Sequence, residues 1–121
     1  FNMPHSRHTK IEESDILKEP ELEILAKSDE AGVSIIRSKD KRKIFLTGHL
    51  EYDRFTLAKE YERDVSQNKK IDVPFNYYPE DDPTKMPIFN WKAHANLLFV
   101  NWINHYVYQE TPYNLEELKN L

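Results

Sequence analysis

A histidine and a glutamate two residues apart, His49 and Glu51, are the side chains best placed to do chemistry. They sit in Ile44-Phe45-Leu46-Thr47-Gly48-His49-Leu50-Glu51-Tyr52-Asp53, just after an apolar run that reads as a short buried strand. Gly48 would let the backbone turn sharply there. In open α/β sheets, ligands bind beyond the carboxyl ends of strands. In extended backbone, residues i and i+2 point to one side, so Glu51 can fix the tautomer of His49 and stabilise its charged form. A base oriented by a carboxylate suits proton transfer and, with a nucleophile, acyl transfer. That nucleophile is missing, because the 121 residues hold no Cys and no serine in a nucleophile-elbow setting. The plainer reading of the pair is a loop histidine beside a solvated carboxylate.

Other polar residues could complete a site. Arg63 lies one helical turn after Glu60, and arginine is suited to gripping a carboxylate through two parallel hydrogen bonds. Its plainer reading is a surface ion pair with Glu60 or Asp64, worth little. Ser6 and Arg7, between His5 and His8, could line a polar pocket or a solvated loop. A metal site is the rival chemistry, with His5, His8, His49, Glu51, His94 and His105 as candidate ligands. None has the i, i+4 spacing of a helical zinc motif. His94 and His105 lie about three helical turns apart, too far to share an ion.

The elements that must position these residues follow from patterning. A chain of 121 residues, 39% hydrophobic and 31% charged, is long enough for one packed domain. Its net charge of −4 argues against non-specific nucleic-acid binding, and no apolar run is long enough to span a membrane. Without cysteine there are no disulfides, which is compatible with a cytoplasmic protein. Two glycines are few for a complete α/β domain of this size, and residues 1–9 read as the middle of a folded protein.

Residues 14–18 read as a short helix capped by Ser14 and stopped by Pro20. Leu22–Ala26, Val33–Arg37 and Ile44–Leu46 read as three strands separated by polar turns. Asp53 is the expected N-cap of a helix over about 54–66, with Leu57, Ala58, Tyr61 and Val65 inward. Residues 67–90 form a long proline-rich loop, of the kind that is often functional or packed on a neighbour. Asn90 is the expected cap of a helix over about 91–108, stopped by Thr111-Pro112. Its stripe of Trp91, Ala95, Leu98, Trp102 and Tyr106, flanked by Phe99, Ile103 and Val107, needs a broad sheet to cover it. The last nine residues read as an acidic, partly frayed tail. Together these features suggest the second half of a larger α/β domain.

Several segments, in order, resemble the homoserine O-acyltransferases of methionine biosynthesis. They are Met3-Pro4-His5-Ser6-Arg7-His8-Thr9, Thr47-Gly48-His49-Leu50-Glu51-Tyr52-Asp53, Glu60-Tyr61-Glu62-Arg63-Asp64, Pro74-Phe75-Asn76-Tyr77-Tyr78-Pro79 with Asp81-Asp82-Pro83, and Asn101-Trp102-Ile103-Asn104-His105-Tyr106-Val107-Tyr108-Gln109 with Thr111-Pro112-Tyr113. The resemblance implies the C-terminal part of a flavodoxin-like α/β sandwich related to the class I glutamine amidotransferases. It implies a Cys-His-Glu triad that passes an acyl group from acetyl-CoA or succinyl-CoA to L-homoserine, with no further cofactor and no metal, in a cytoplasmic homodimer. Within that scheme His49 matches the general base and Glu51 its orienting carboxylate. Arg63 matches the arginine that binds the homoserine carboxylate, and Ser6 a substrate-pocket position.

Leu50 departs from the pattern, standing where the family commonly has Pro. The family's nucleophile, oxyanion hole, lysine and acyl-selecting residue all belong to a preceding half that this sequence does not contain. A non-catalytic interaction or regulatory segment therefore stays open as an alternative, as does an O-acyltransferase acting on serine.

Overall fold

A computed structural model describes residues 1–112 and 114–118. A short helix α1 (Glu13–Ile16) leads into β1 (Leu22–Ser28), β2 (Gly32–Ser38) and β3 (Ile44–Leu46). Helix α2 (Thr56–Ser66), a 3-10 turn (Pro79–Asp81), helix α3 (Lys92–Trp102), a wider π-helical turn (Ile103–Tyr108) and a last helical turn α4 (Leu115–Leu118) follow. The strands form one antiparallel sheet in the order β1-β2-β3. This gives the expected mix of helix and sheet. The described strands contain no parallel pair of the kind that builds a flavodoxin-like sheet.

The strand order explains one departure from the sequence reading. Central β2 takes the continuous burial, with Val33, Ser34, Ile35 and Ile36 all buried. Strand β3 is an edge and Phe45 lies exposed, so the run before the His-Glu pair is not a buried strand. Gly32, at φ +71, closes the β1–β2 turn in a backbone region that costs glycine little.

None of the three expected caps is used. Helix α1 starts after Glu12 and encloses Ser14, and α3 starts after Trp91 without a side-chain cap from Asn90. Helix α2 starts after Phe55, two residues beyond Asp53. The Tyr77 hydroxyl caps it instead, accepting from the Ala58 N–H at 3.1 Å and donating to the Arg54 carbonyl. That supplies a partner for one of the orphan donors every helix N-terminus carries. The proline-rich 67–90 stretch is thus a structural part of the fold, and delivers Tyr77 and Tyr78 to the core.

The inward stripe of α2 is rotated from the expected one. Leu57, Ala58 and Asp64 are buried, Tyr61 is half-buried and Val65 is exposed. Seven residues complete nearly two turns, so Asp64 rather than Val65 lies under Leu57. Along α3 and its two flanks, Trp91 and Ala95 are buried, but Leu97, Val100, Trp102, Ile103 and Val107 remain exposed. The helix also loosens into a π turn after Trp102, where an unbroken α-helix was expected. The tail lies partly outside the described residues; within it, residues 115–118 form one helical turn.

Two apolar clusters hold these elements. One gathers Leu50, Leu57, Ala58, Tyr77, Tyr78, Trp91 and Ala95, and the other Ile16, Val33 and Ile36 beneath the sheet. Gly48 is buried where the N-terminal segment crosses the loop after β3. A Cβ there would meet Met3 Sδ at 2.5 Å and the Pro4 carbonyl oxygen at 2.7 Å. Gly48 is needed for this close approach, since its φ is not positive. Gly48→Ala should therefore displace residues 3–4 and destabilise the protein by about 1–3 kcal/mol, as overpacking does. An unchanged denaturation midpoint would show that the segment yields without cost.

Candidate active site

His49 and Glu51 meet as their spacing suggested, but through a turn rather than extended backbone. The Tyr52 N–H donates to the His49 carbonyl at 3.3 Å, which closes residues 49–52. The loop is fastened on both sides of this turn. Thr47 binds β2 through its N–H to Ser34 O (3.0 Å) and its hydroxyl to Val33 O (2.7 Å), and the His49 N–H donates to Pro4 O at 2.7 Å. Leu50 points down, fully buried, while His49 Nδ1 and Glu51 Oε1 pair at 2.8 Å above it. Burial works to raise the Glu51 carboxyl, but the bond from His49 and its own backbone N–H hold it below the usual range. With Nδ1 engaged, the ring's Nε2 is left to carry protons to and from a bound group.

Tyr52, not singled out from sequence, is the hub of the site. Its ring stacks on His49 with centroids 4.3 Å apart and planes 13° from parallel. Such pairs contribute about 0.5–1.5 kcal/mol beyond area burial. Its hydroxyl donates to Glu60 Oε1 at 2.9 Å and is hydrogen-bonded by the Ser6 side chain. Its carbonyl accepts from the indole N–H of buried Trp91 at 3.0 Å. Burial and the Glu60 carboxylate push the phenol up to about 12, so it stays a donor. Ser6 therefore joins the His49–Glu51 pair through Tyr52.

Two buried polar atoms near this cluster have no partner among the described residues: Glu60 Oε2 and His5 Nδ1. A buried carboxylate oxygen without a protein partner is costly. His5 is pushed down by burial, with Arg7 and His49 adding to the effect, and so favours its neutral form. Nothing in its spacing marked Tyr52; Glu60 stood out only as a partner one turn before Arg63, and His5 only as a candidate metal ligand beside Ser6 and Arg7.

Arg63 adjoins the cluster rather than contacting the His-Glu pair. Its Nε donates to Asp64 Oδ1 at 3.0 Å, the one hydrogen bond its side chain makes among the described residues. The outer fork of its guanidinium is thereby left to solvent, within the field of Glu60 and Tyr52. Lys69 Nζ binds the same Asp64 oxygen at 2.8 Å, and His8 Nε2 stands 3.7 Å from the other. An apolar cleft of about 290 Å³ between α3 and the sheet, lined by Leu25, Ile35, Leu97 and Trp102 among others, includes neither His49 nor Glu51. Among the described residues, no three His, Asp or Glu side chains gather to hold a metal ion.

Comparison with known proteins bears on what such a site does. The family model described as homoserine O-succinyltransferase matches residues 1–113. A Desulfitobacterium hafniense protein named homoserine O-acetyltransferase is 59% identical over 120 residues, covering 99% of this chain and 39% of its own length. Proteins of the same name from Acetivibrio thermocellus and Thermotoga petrophila are 58% and 57% identical, each over 98% of this chain and 39% of theirs. The chain thus spans about two fifths of the length of the relatives it matches.

The Asp64 cluster has a readable acid signature. Hydrogen bonds from Arg63 and Lys69 hold the Asp64 carboxyl down at about 2, against an ordinary 3.8. On acidification the unfolded chain takes up this proton first. The stabilisation is therefore complete above about pH 4 and is lost as pH falls towards 2. Asp64→Asn should lower stability at neutral pH, and its deficit against wild type should shrink across that window. Unfolding midpoints followed by circular dichroism at several pH values check this, and a deficit independent of pH would contradict it.

Proposed function

The chain belongs to the homoserine O-succinyltransferase family, and from that premise we propose that it carries the general base and the amino-acid pocket of an acyl-CoA:L-homoserine O-acyltransferase in methionine biosynthesis. The observation that carries this reading is the 2.8 Å His49–Glu51 pair, stacked on Tyr52 and bordered by Glu60 Oε2, unpartnered among the described residues, and by the outer fork of Arg63.

In this reading the nucleophile is a cysteine thiol in the remainder of a longer protein, since these residues supply none. His49 Nε2 takes the thiol proton as the sulfur attacks the acyl-CoA carbonyl. The proton passes to the departing CoA thiolate, leaving the acyl group on the enzyme as a thioester. Homoserine's hydroxyl then gives its proton to Nε2 and attacks that thioester. The cysteine sulfur leaves, regains the proton and releases O-acyl-homoserine. Glu51 keeps Nδ1 protonated and stabilises the imidazolium in both halves.

The acceptor is held from α2. The outer fork of Arg63 grips the α-carboxylate, and Glu60 Oε2 receives the α-ammonium, the donor its burial lacks. Ser6 lines the pocket through its bond to Tyr52. Acetyl-CoA is the favoured donor, supported by the names of relatives 55–60% identical to this chain. The exposed apolar face of α3 supports a place for this segment against further elements of a larger, flavodoxin-like sandwich.

The test uses the full-length protein with homoserine and either acetyl-CoA or succinyl-CoA. Acetyl transfer should prevail, with an acyl-enzyme visible by mass spectrometry; absence of transfer from both donors would refute the reading. His49→Ala should abolish turnover, and Glu51→Gln should reduce it strongly without altering the unfolding midpoint.

Arg63→Ala should raise KM for homoserine far more than for acyl-CoA. Loss of a charge-assisted bidentate contact predicts a roughly 10²-fold fall in kcat/KM. Arg63→Lys should recover part of it, because a point charge cannot reproduce the fork. Acyl-enzyme formation should be untouched. If both half-reactions slow equally, Arg63 acts only through its ion pair with Asp64.

A further inference from the structure

We propose that Tyr52 is a positioning residue serving both halves of this site: its ring fixes the plane of the His49 imidazole, and its hydroxyl fixes the Glu60 carboxylate towards the acceptor. The inference rests on the acyl-transfer reading and adds to it a residue that touches neither reacting atom.

The Glu51 bond cannot orient the imidazole alone. The Glu51 side chain is 61% exposed, and water competes for a hydrogen bond so placed. The other restraint on the ring is the near-parallel face of Tyr52, 4.3 Å between centroids. Rotating the imidazole about its Cβ–Cγ bond would drive it into that face, so Nδ1 stays on Glu51 and Nε2 stays outward.

Tyr52 can act this way because it is itself anchored. Its N–H donates to the His49 carbonyl, its carbonyl accepts from the Trp91 indole N–H, and its hydroxyl sits between Ser6 and Glu60. The bond to Glu60 Oε1 also decides which Glu60 oxygen is free. It occupies one and leaves Oε2 buried and without a partner among the described residues. A residue that merely filled space against the apolar cluster would need neither the parallel face nor the donor.

The two roles separate by substitution in the full-length protein. Tyr52→Phe keeps the stack and removes the donor. It should raise KM for homoserine roughly tenfold or more, leave acyl-enzyme formation within about twofold, and leave the tautomer of His49, read by ¹⁵N NMR, as in wild type. Tyr52→Leu removes the stack. It should slow both half-reactions roughly tenfold and move the His49 tautomer ratio towards that of free histidine.

Unchanged homoserine KM in Tyr52→Phe, or an unchanged tautomer ratio in Tyr52→Leu, overturns the inference. So does an equal effect of both variants on both half-reactions in step with a lowered unfolding midpoint, which would make Tyr52 a packing residue only. If the wild-type protein transfers no acyl group, the functional reading falls, while the tautomer measurement still decides whether the Tyr52 ring orients His49.

Discussion

The burial of Leu50 is the constraint on which the site depends. It has no exposed surface, and it lies between the two residues that face outward. Burying a leucine side chain is worth about 1.5–3 kcal/mol, whereas an exposed ion pair is worth about 0–1 kcal/mol. The turn is therefore set by what points down, and the pairing of His49 with Glu51 follows from it. The same cluster draws on α2, the 67–90 stretch and the start of α3. Packing from below restricts the backbone at Leu50.

Charge on α2 obeys a similar economy. A carboxylate under Leu57 would be destabilising if left alone, and Asp64 is kept there by Arg63 and Lys69. Because Arg63 uses Nε for this, the structural pairing and the proposed grip on a substrate carboxylate draw on different atoms of one guanidinium. The two readings of Arg63 that its spacing left open are compatible. Lys69 lies beyond the end of the helix and supplies a second donor to the same oxygen, so the guanidinium is not alone in neutralising the acid.

Much of this was legible in sequence because it is local. The three strands were visible as apolar runs between polar turns, and the structure extends the first two by one or two residues at their ends. Residues 49 and 51 were legible as a pair because a two-residue spacing brings side chains together in a turn as well as in a strand. What escaped depends on contacts distant in the chain. Asp53 looked like a cap because local propensity favours it, but Tyr77 took that role from the far end of a loop. Val65 looked buried because it is apolar, yet its angular position excludes it. Tyr52 carried no motif of its own, since stacking on one neighbour while bonding a carboxylate eight residues away has no signature in spacing.

The Tyr77 hydroxyl has a consequence for the order in which this chain assembles. A helix capped from within can form as soon as its own residues are available. Helix α2 receives its cap from a residue 19 positions beyond Ala58, so its first turn is completed only where the rest of the helix and the segment after it have folded back. That closure carries an entropic cost before any contact offsets it. The first turn of the helix that bears Glu60 and Arg63 is thus tied to the 67–90 stretch, so a change that loosens Tyr77 also loosens the platform of those two charged side chains.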